Sequence, residues 1–455
     1  MPGTSDEMVS LLQELVRIDK VSPPGNNYPE CEQVIRKTMQ SLGCDARLVE
    51  VPPEHFEGIM RAMRLPIPES GLLPRVNVFA RKEGSRAGKV VHFTGHFDVV
   101  PPGEGWTVDS FGGVLRDDRV YGRGRTDQKS GIAASLFAIE AIRRAGLKLP
   151  GAVEQSATVD EEYVGDTGLG YLVERGHIGR GKQDYVVITE CLDVDGICLG
   201  HRGALFFALR TTGRVGHGCM PHLAVNAVDK MVSVMGAIAA ELRPKIESRI
   251  SQQPIMPEGS RRSSITPIWI DGSAREQPGA TIAALCTSFW NRWFNPEESI
   301  DEVRKEIVDV LEILKKRDLD LSLEMVEHFS VEPVLVPADN ELVKTCQEEI
   351  RSVLGRESHL LLSPGFDDQR FVVLNGKIDT CILHGPGVLS MAHAPDEYVP
   401  VDDLVNAAKI MALSTLDLLG ADGQGGIAPG GLPAAQQGRK SRLGDTGFEP
   451  VTSTV

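Results

Sequence analysis

The chain has 455 residues, too many for one ordinary core, and at roughly 100–200 residues per domain it divides into two or three. Its 48 basic and 63 acidic residues give a net charge of −15 with no dense Lys/Arg stripe, so nucleic acid is not an expected partner. The opening MPGTSDEMVSLLQELVRI is an acidic amphipathic helix rather than an export signal, no apolar run approaches ~18 residues, and the eight scattered cysteines form no Cys-x-x-Cys pair. A cytoplasmic protein with no membrane partner is expected.

Leu11, Leu12, Leu15 and Ile18 fall on one face of that first helix, and a second helix, ECEQVIRKTMQSLG, stops at Gly43. Strand-like runs follow at RVNVFAR, GKVVHFTG, GAVEQSATVD and DYVVIT. Between two of them the helix KSGIAASLFAIEAIRRAG carries Ile132, Leu136, Ile139 and Ile142 on one face and stops at Gly146. Strand, helix, strand at this spacing predicts an α/β fold with a mostly parallel mixed sheet covered by helices, and such sheets gather sites beyond the carboxyl ends of their strands.

After residue 200 the pattern changes. ALFFALRTTG alternates like an exposed antiparallel strand and is followed by the helix AVNAVDKMVSVMGAIAAEL. The strands SSITPIWIDG and TIAALCTSFWNRWF come next, then the charged helix ESIDEVRKEIVDVLEILKKR and the strand LSLEMVEHFS. Residues 200–332 are therefore expected to form an α+β domain inserted into a first domain made of 1–199 and 333–420, where NELVKTCQEEIRSVLG resumes the helix and strand alternation. Residues 421–455, rich in Gly, Pro and Gln, are expected to be a disordered tail.

Several acidic and imidazole side chains stand where strands run out. In TGHFDVVPPG, His96 and Asp98 are two residues apart on an extended segment and share a face; taken alone, the stretch is equally a polar strand end. Asp127, in VYGRGRTDQKSG, sits at a helix start, where an N-cap is the plain alternative. Asp160, Glu161 and Glu162 follow a strand in ATVDEEYVGD, and three adjacent carboxylates require either solvent or a positive partner. Glu190 ends a strand in VVITECLD, and His393 follows the glycine-rich turn of GPGVLSMAHAPDEYV, which contains Gly385. Two imidazoles and several carboxylates at the rim of one sheet suit one or two zinc-like ions with water between them.

The order His-x-Asp, Asp, Glu-Glu, Glu, His over about residues 5–420 resembles the co-catalytic zinc amidohydrolase and peptidase family. That family contains acetylornithine deacetylase, succinyl-diaminopimelate desuccinylase, aminoacylase and glutamate carboxypeptidase. The resemblance implies a zinc-exopeptidase-like fold with an inserted lid or dimerisation domain and two zinc ions per chain, for which cobalt or manganese could substitute. His96, Asp127 and Glu190 would hold one ion, and Asp127, Glu162 and His393 the other. Asp98 would orient His96, Glu161 would be the general base, and the Asp127–Gln128 peptide bond is expected to be cis. His217, in GRVGHGCMPHLAVNAV, matches the histidine that polarises the substrate carbonyl; without the family it reads as a surface loop histidine. In the family this histidine reaches the metals of the other chain of a homodimer, here formed through residues 200–332, and ALFFALRTTG would be an unpaired edge strand in a monomer.

Asn226, Arg275, Arg292, Arg370 and Gly385 are the candidate substrate-binding residues. Arg370, in SPGFDDQRF, either pairs bidentately with a substrate carboxylate or serves as a structural partner of Asp368. Glu276 and Trp293 stand in unusual places for the family, Ala224 replaces a common glycine, and Cys191 replaces a common proline. The implied activity is hydrolysis of the amide bond of an N-acyl amino acid or short peptide, with deacylation of the acetylornithine or succinyl-diaminopimelate kind leading. A metallo-dipeptidase or carboxypeptidase of the same family is the near alternative. Zinc aminopeptidases share much of the ligand order but lack the insertion, and a non-catalytic metal- or ligand-binding protein would not need Glu161.

Overall fold

A computed structural model describes residues 3–64, 67, 73–272 and 280–420. The expectations for residues 421–455, and for Arg275 and Glu276, lie outside the described residues.

Nine strands form the principal sheet. From one edge the order is Asp45–Val51, Arg75–Glu83, Ala152–Thr158, Val90–His96, Tyr185–Ile188, Cys381–Leu383, Gly196–His201 and Val334–Leu335, with His359–Ser363 also paired to Gly196–His201. Val90–His96 runs parallel to both Ala152–Thr158 and Tyr185–Ile188, and the latter is parallel to Cys381–Leu383. Antiparallel pairing is found toward the edges, as at Asp45–Val51 with Arg75–Glu83. Every residue of Val90–His96 and Ala152–Thr158 is buried, because helices and loops cover both faces and an alternating pattern has nothing to report. One face is covered by Thr4–Arg17, Ser130–Arg144 and Val401–Leu418, which pack on one another. Met8, Leu12 and Leu15 on the first of these, and Ile132, Leu136 and Ile139 on the second, are fully or almost fully buried. Each such side chain contributes roughly 1.5–3 kcal/mol by leaving water.

A second sheet, antiparallel and four-stranded, follows the order Ser264–Gly272, Leu285–Phe294, Gly203–Thr212, Ser322–Val331. Leu205, Phe207, Leu209, Trp290 and Phe294 on one face pack with the helices Ala227–Ala237 and Ile300–Arg317. Ser299 and Glu302 cap the latter helix reciprocally, and Lys315, Lys316 and Arg317 occupy its last turn, complementing the helix dipole. The expected edge strand is corrected here: Gly203–Thr212 lies inside this sheet, flanked on both sides. Its alternation reflects two different apolar coverings rather than one wet face. Phe207 meets Trp290, whereas Phe206 meets Trp293, Phe329 and Phe366. An edge belongs instead to Ser264–Gly272, where Ile268, Trp269 and Ile270 are exposed.

The principal sheet brings its carboxyl ends to one rim. His96 ends one strand, Asp160 to Glu162 follow Thr158, Glu190 follows Ile188, and Gly385 follows Leu383. A small sheet of Val114–Arg116, Arg119–Tyr121 and Tyr398–Pro400 sets the loops carrying Asp127 and His393 beside them.

Candidate metal centre

His96, Asp127 and Glu190 offer ligand atoms within 4.8 Å of one another, and Asp127, Glu162 and His393 do the same. Asp127 belongs to both groups. His96 Nε2 lies 3.0 Å from Asp127 Oδ1 and 3.6 Å from Glu190 Oε1. On the other side of Asp127, His393 Nε2 is 3.3 Å from Oδ2 and 3.1 Å from Glu162 Oε2.

The imidazole of His96 is aimed from behind. Its Nδ1 is 3.1 Å from the Asp98 carbonyl oxygen and 3.4 Å from Asp98 Oδ1, so Nδ1–H donates there and Nε2 is the atom left to serve as a metal ligand once deprotonated. The fully buried Asp98 does more: its two carboxylate oxygens accept the backbone N–H groups of Glu161 and Glu162, each at 3.1 Å. One carboxylate thus positions a histidine and the loop carrying two glutamates.

The acidic triplet separates into two functions. Asp160, at φ 57°, turns into the protein, where it accepts hydrogen bonds from Ser22 at 3.0 Å, Tyr28 at 2.8 Å and Thr167 at 2.7 Å and pairs with buried Arg75. Glu161 and Glu162 face the cavity. Glu161 belongs to neither ligand group, yet its Oε2 is 3.9 Å from His96 Nε2.

Two further side chains, Glu397 and Gln128, shape the centre. Glu397 is fully buried, ion-paired to Arg123 at 2.6 Å, and accepts the backbone N–H groups of Gly124, Thr126 and Asp127. Gln128, joined to Asp127 by a cis peptide bond, donates from Nε2 to Glu190 and accepts from Thr189 Oγ1 at 2.9 Å. Gly95 leaves room for this arrangement, since a Cβ there would come within 2.5 Å of Gln128 Oε1 and 2.7 Å of Thr189 Oγ1 and displace them. Gly385 is likewise needed for close approach, because a Cβ there would meet the carbonyl oxygens of Thr189 and Glu190 at 2.5 and 2.6 Å. Its role is to let two loops touch behind Glu190.

The electrostatics are those of a site built around positive charge. Burial, then repulsion from Asp127, pushes Glu190 and Glu162 above the ordinary carboxylate range; burial and the neighbouring acids Asp368, Glu162 and Glu190 do the same to Glu161. Burial would also raise Asp127, but hydrogen bonds with His393 and His96 override it and hold the carboxyl well below its usual range. Each ligand group combines one imidazole with two carboxylates, the donor chemistry of zinc-type ions. The residues fit such ions.

Other candidate residues are used elsewhere. His217 is exposed and outside the cavity lining; its Nδ1 accepts the backbone N–H of Cys219 at 3.2 Å. Asn226 is the N-cap of Ala227–Ala237, accepting from Val228 N at 3.0 Å. Arg292 is fully buried and committed to Glu298 at 2.6 Å, Glu306 at 2.9 Å and the Trp293 carbonyl, so as a carboxylate clamp it is corrected. Arg370 pairs with Asp166 at 2.9 Å and the Val164 carbonyl, over the Phe371 ring, rather than hydrogen-bonding Asp368.

The cavity beside the cluster has a volume of about 430 Å³. Comparison with known proteins bears on its chemistry. The model of Peptidase family M20/M25/M40 matches residues 92–416. The chain is 29% identical over 410 residues to succinyl-diaminopimelate desuccinylase of Thioalkalivibrio sulfidiphilus (strain HL-EbGR7), covering 89% of this chain and 96% of that one. Its fold is similar to that of an M20 family metallo-carboxypeptidase from Sulfolobus solfataricus, with a TM-score of 0.68 and 18% identity over 91% of this chain and 99% of that one. A dinuclear metal binding peptidase of the M20 family from Bacillus subtilis gives a TM-score of 0.64 at 14% identity, over 92% of this chain and 99% of that one.

Proposed function

The chain belongs to Peptidase family M20/M25/M40, hydrolases of amide and peptide bonds, and from that premise we propose that it is a dinuclear zinc enzyme that removes the acyl group from an N-acyl amino acid. The observation that carries the reading is the pair of ligand groups sharing Asp127, with Glu161 beside them but outside both. The name of the curated relative, a desuccinylase, favours deacylation over peptide cleavage.

Bound at these groups, two divalent ions would lower the pKa of a water molecule and polarise the scissile carbonyl. Glu161, outside both ligand groups, would accept a proton from the attacking water and return it to the leaving nitrogen. Asp98 holds the base in place through the Glu161 backbone, and Gln128 fixes the Glu190 carboxylate by donating to it. Zinc suits the mixed imidazole and carboxylate donors, with cobalt or manganese as substitutes.

The reading includes a homodimer through residues 200–332, in which His217 acts on the other chain's substrate carbonyl. Its support is the exposed apolar edge at Ile268, Trp269 and Ile270, together with the position of His217 outside its own chain's cavity. It also includes a cytoplasmic location, supported by eight free cysteines. Turnover of a panel of N-acyl amino acids and dipeptides by the zinc-loaded protein tests the activity. Cleavage of dipeptides with no deacylation would replace it with a dipeptidase.

A further inference from the structure

The cavity beside the ligand groups has an apolar wall of Leu192, Phe366, Leu383 and Leu389. Phe366 is not a loose side chain: Trp293 stacks on it at 5.9 Å, and Phe206 and Phe329 meet it edge-on at 6.3 and 5.6 Å. Trp293, out of place for the family by sequence, buttresses this wall from the second sheet.

The charged side chains of the lining are acidic apart from His393, which belongs to a ligand group. Asp127, Glu161, Glu162, Glu190 and Asp367 face the cavity, and among the described residues no lysine or arginine lines it. Two divalent ions would neutralise four of these five carboxylates and leave one in excess. Asp367 Oδ1 accepts the backbone N–H of Gln369 at 2.9 Å, and its buried Oδ2 has no hydrogen-bond partner among the described residues. Arg292 and Arg370 are held by Glu298, Glu306 and Asp166. A carboxylate placed against this wall would lose its hydration and gain no ion pair with a lysine or arginine of the lining in return.

We propose that this cavity takes the acyl group of the substrate and selects an uncharged, apolar acyl chain over a dicarboxylic one such as succinyl. The proposal rests on the N-acyl amino acid reading above. It also fixes the substrate's direction: the obligatory α-carboxylate of the amino acid meets no lysine or arginine at this wall and points away from it, leaving the apolar wall to the acyl chain. The specificity therefore departs from that in the name of the desuccinylase relative.

The test compares N-hexanoyl and N-succinyl derivatives of the same L-amino acids on the zinc-loaded protein, with binding of hexanoate and succinate measured alongside by calorimetry. Both free acids offer one carboxylate to the metals, and only succinate brings a second to the wall. Hexanoyl is expected to exceed succinyl on the order of tenfold or more in kcat/KM, with hexanoate binding more tightly by a similar factor. Hydrolysis with equal or better use of the succinyl substrates overturns the proposal and leaves the hydrolase reading standing. If neither derivative is cleaved, the hydrolase reading fails, and the binding arm still decides: tighter hexanoate supports the selectivity, while equal or tighter succinate, or no hexanoate binding, overturns it. Leu389→Lys places an ammonium on a half-buried turn of the wall. It is expected to shift the ratio toward succinyl by on the order of tenfold, and an unchanged ratio in the folded variant would remove this wall from acyl recognition.

Discussion

Replacing Glu161 by glutamine separates metal binding from proton transfer. The backbone N–H of Glu161 is anchored to Asp98 at 3.1 Å, so the loop does not depend on the side-chain charge. The side chain lies outside both ligand groups, with Oε2 3.9 Å from His96 Nε2, and an amide of the same shape leaves the ligands in place. What glutamine cannot do is accept the proton. General base catalysis is worth roughly 10²–10⁴-fold, or about 2.7–5.4 kcal/mol of barrier at about 1.36 kcal/mol per decade. The variant should therefore retain both metals by elemental analysis and lose at least about 10²-fold in kcat, with KM little changed because the loss belongs to the transition state. A wild-type rate would refute the assignment of the base, and loss of a metal would mean that Glu161 is a ligand.

His96→Ala should lose one metal and Asp127→Ala should disturb both, since Asp127 lies in both ligand groups; full occupancy in both variants would contradict the ligand sets. In the metal-free chain, hydrogen bonds with Asp127 and Glu162 raise His393 to about 10, and those with Asp127 and Asp98 raise His96 despite the opposing effect of burial. Both are then protonated at neutral pH, so metal binding should release protons, seen as a buffer-dependent heat in calorimetry, and activity should fall below pH about 6. For the metal-free fold the sign is opposite: the stabilisation from a raised His393 is complete below its unfolded value of about 6.5 and is lost as pH rises through about 10. Glu161→Ala and His217→Ala chains, each nearly inactive alone, should on subunit exchange recover about a quarter of wild-type activity, because about half of the dimers are mixed and each holds one complete site. No recovery after verified exchange would place His217 outside a site shared between chains.

Much of the centre was legible from the order of its motifs rather than from any one of them: His96 ends a buried strand with Asp98 two residues on, and Glu190 stands two residues beyond the end of another, each ambiguous alone. The triplet at 160–162 was legible only in part. That Asp160 turns away depends on Arg75, Ser22 and Tyr28, which are 85, 138 and 132 residues distant and carry no local signal. Glu397 escaped notice for a similar reason: its partners are the backbone N–H groups of 124, 126 and 127, and every residue except proline has one. The Asp-Glu pair just after His393 was the available clue. Arg292 looked free because its acids come from the following loop and helix, at 298 and 306, and folding brings them over the strand. In the second sheet, alternation in Gly203–Thr212 predicted a wet face, but Phe206 packs against an aromatic cluster that includes Phe366 from beside the metal centre. Periodicity reports that two faces differ and does not report what covers them.

Stripping the protein of metal and titrating zinc back, with bound metal and N-acyl amino acid hydrolysis followed on the same sample, tests the central claim most directly. The account predicts almost no turnover in the metal-free protein and full activity at two bound zinc ions per chain, one for each ligand group around Asp127. Full turnover without metal, or two bound ions with no hydrolysis of any N-acyl amino acid, would contradict it.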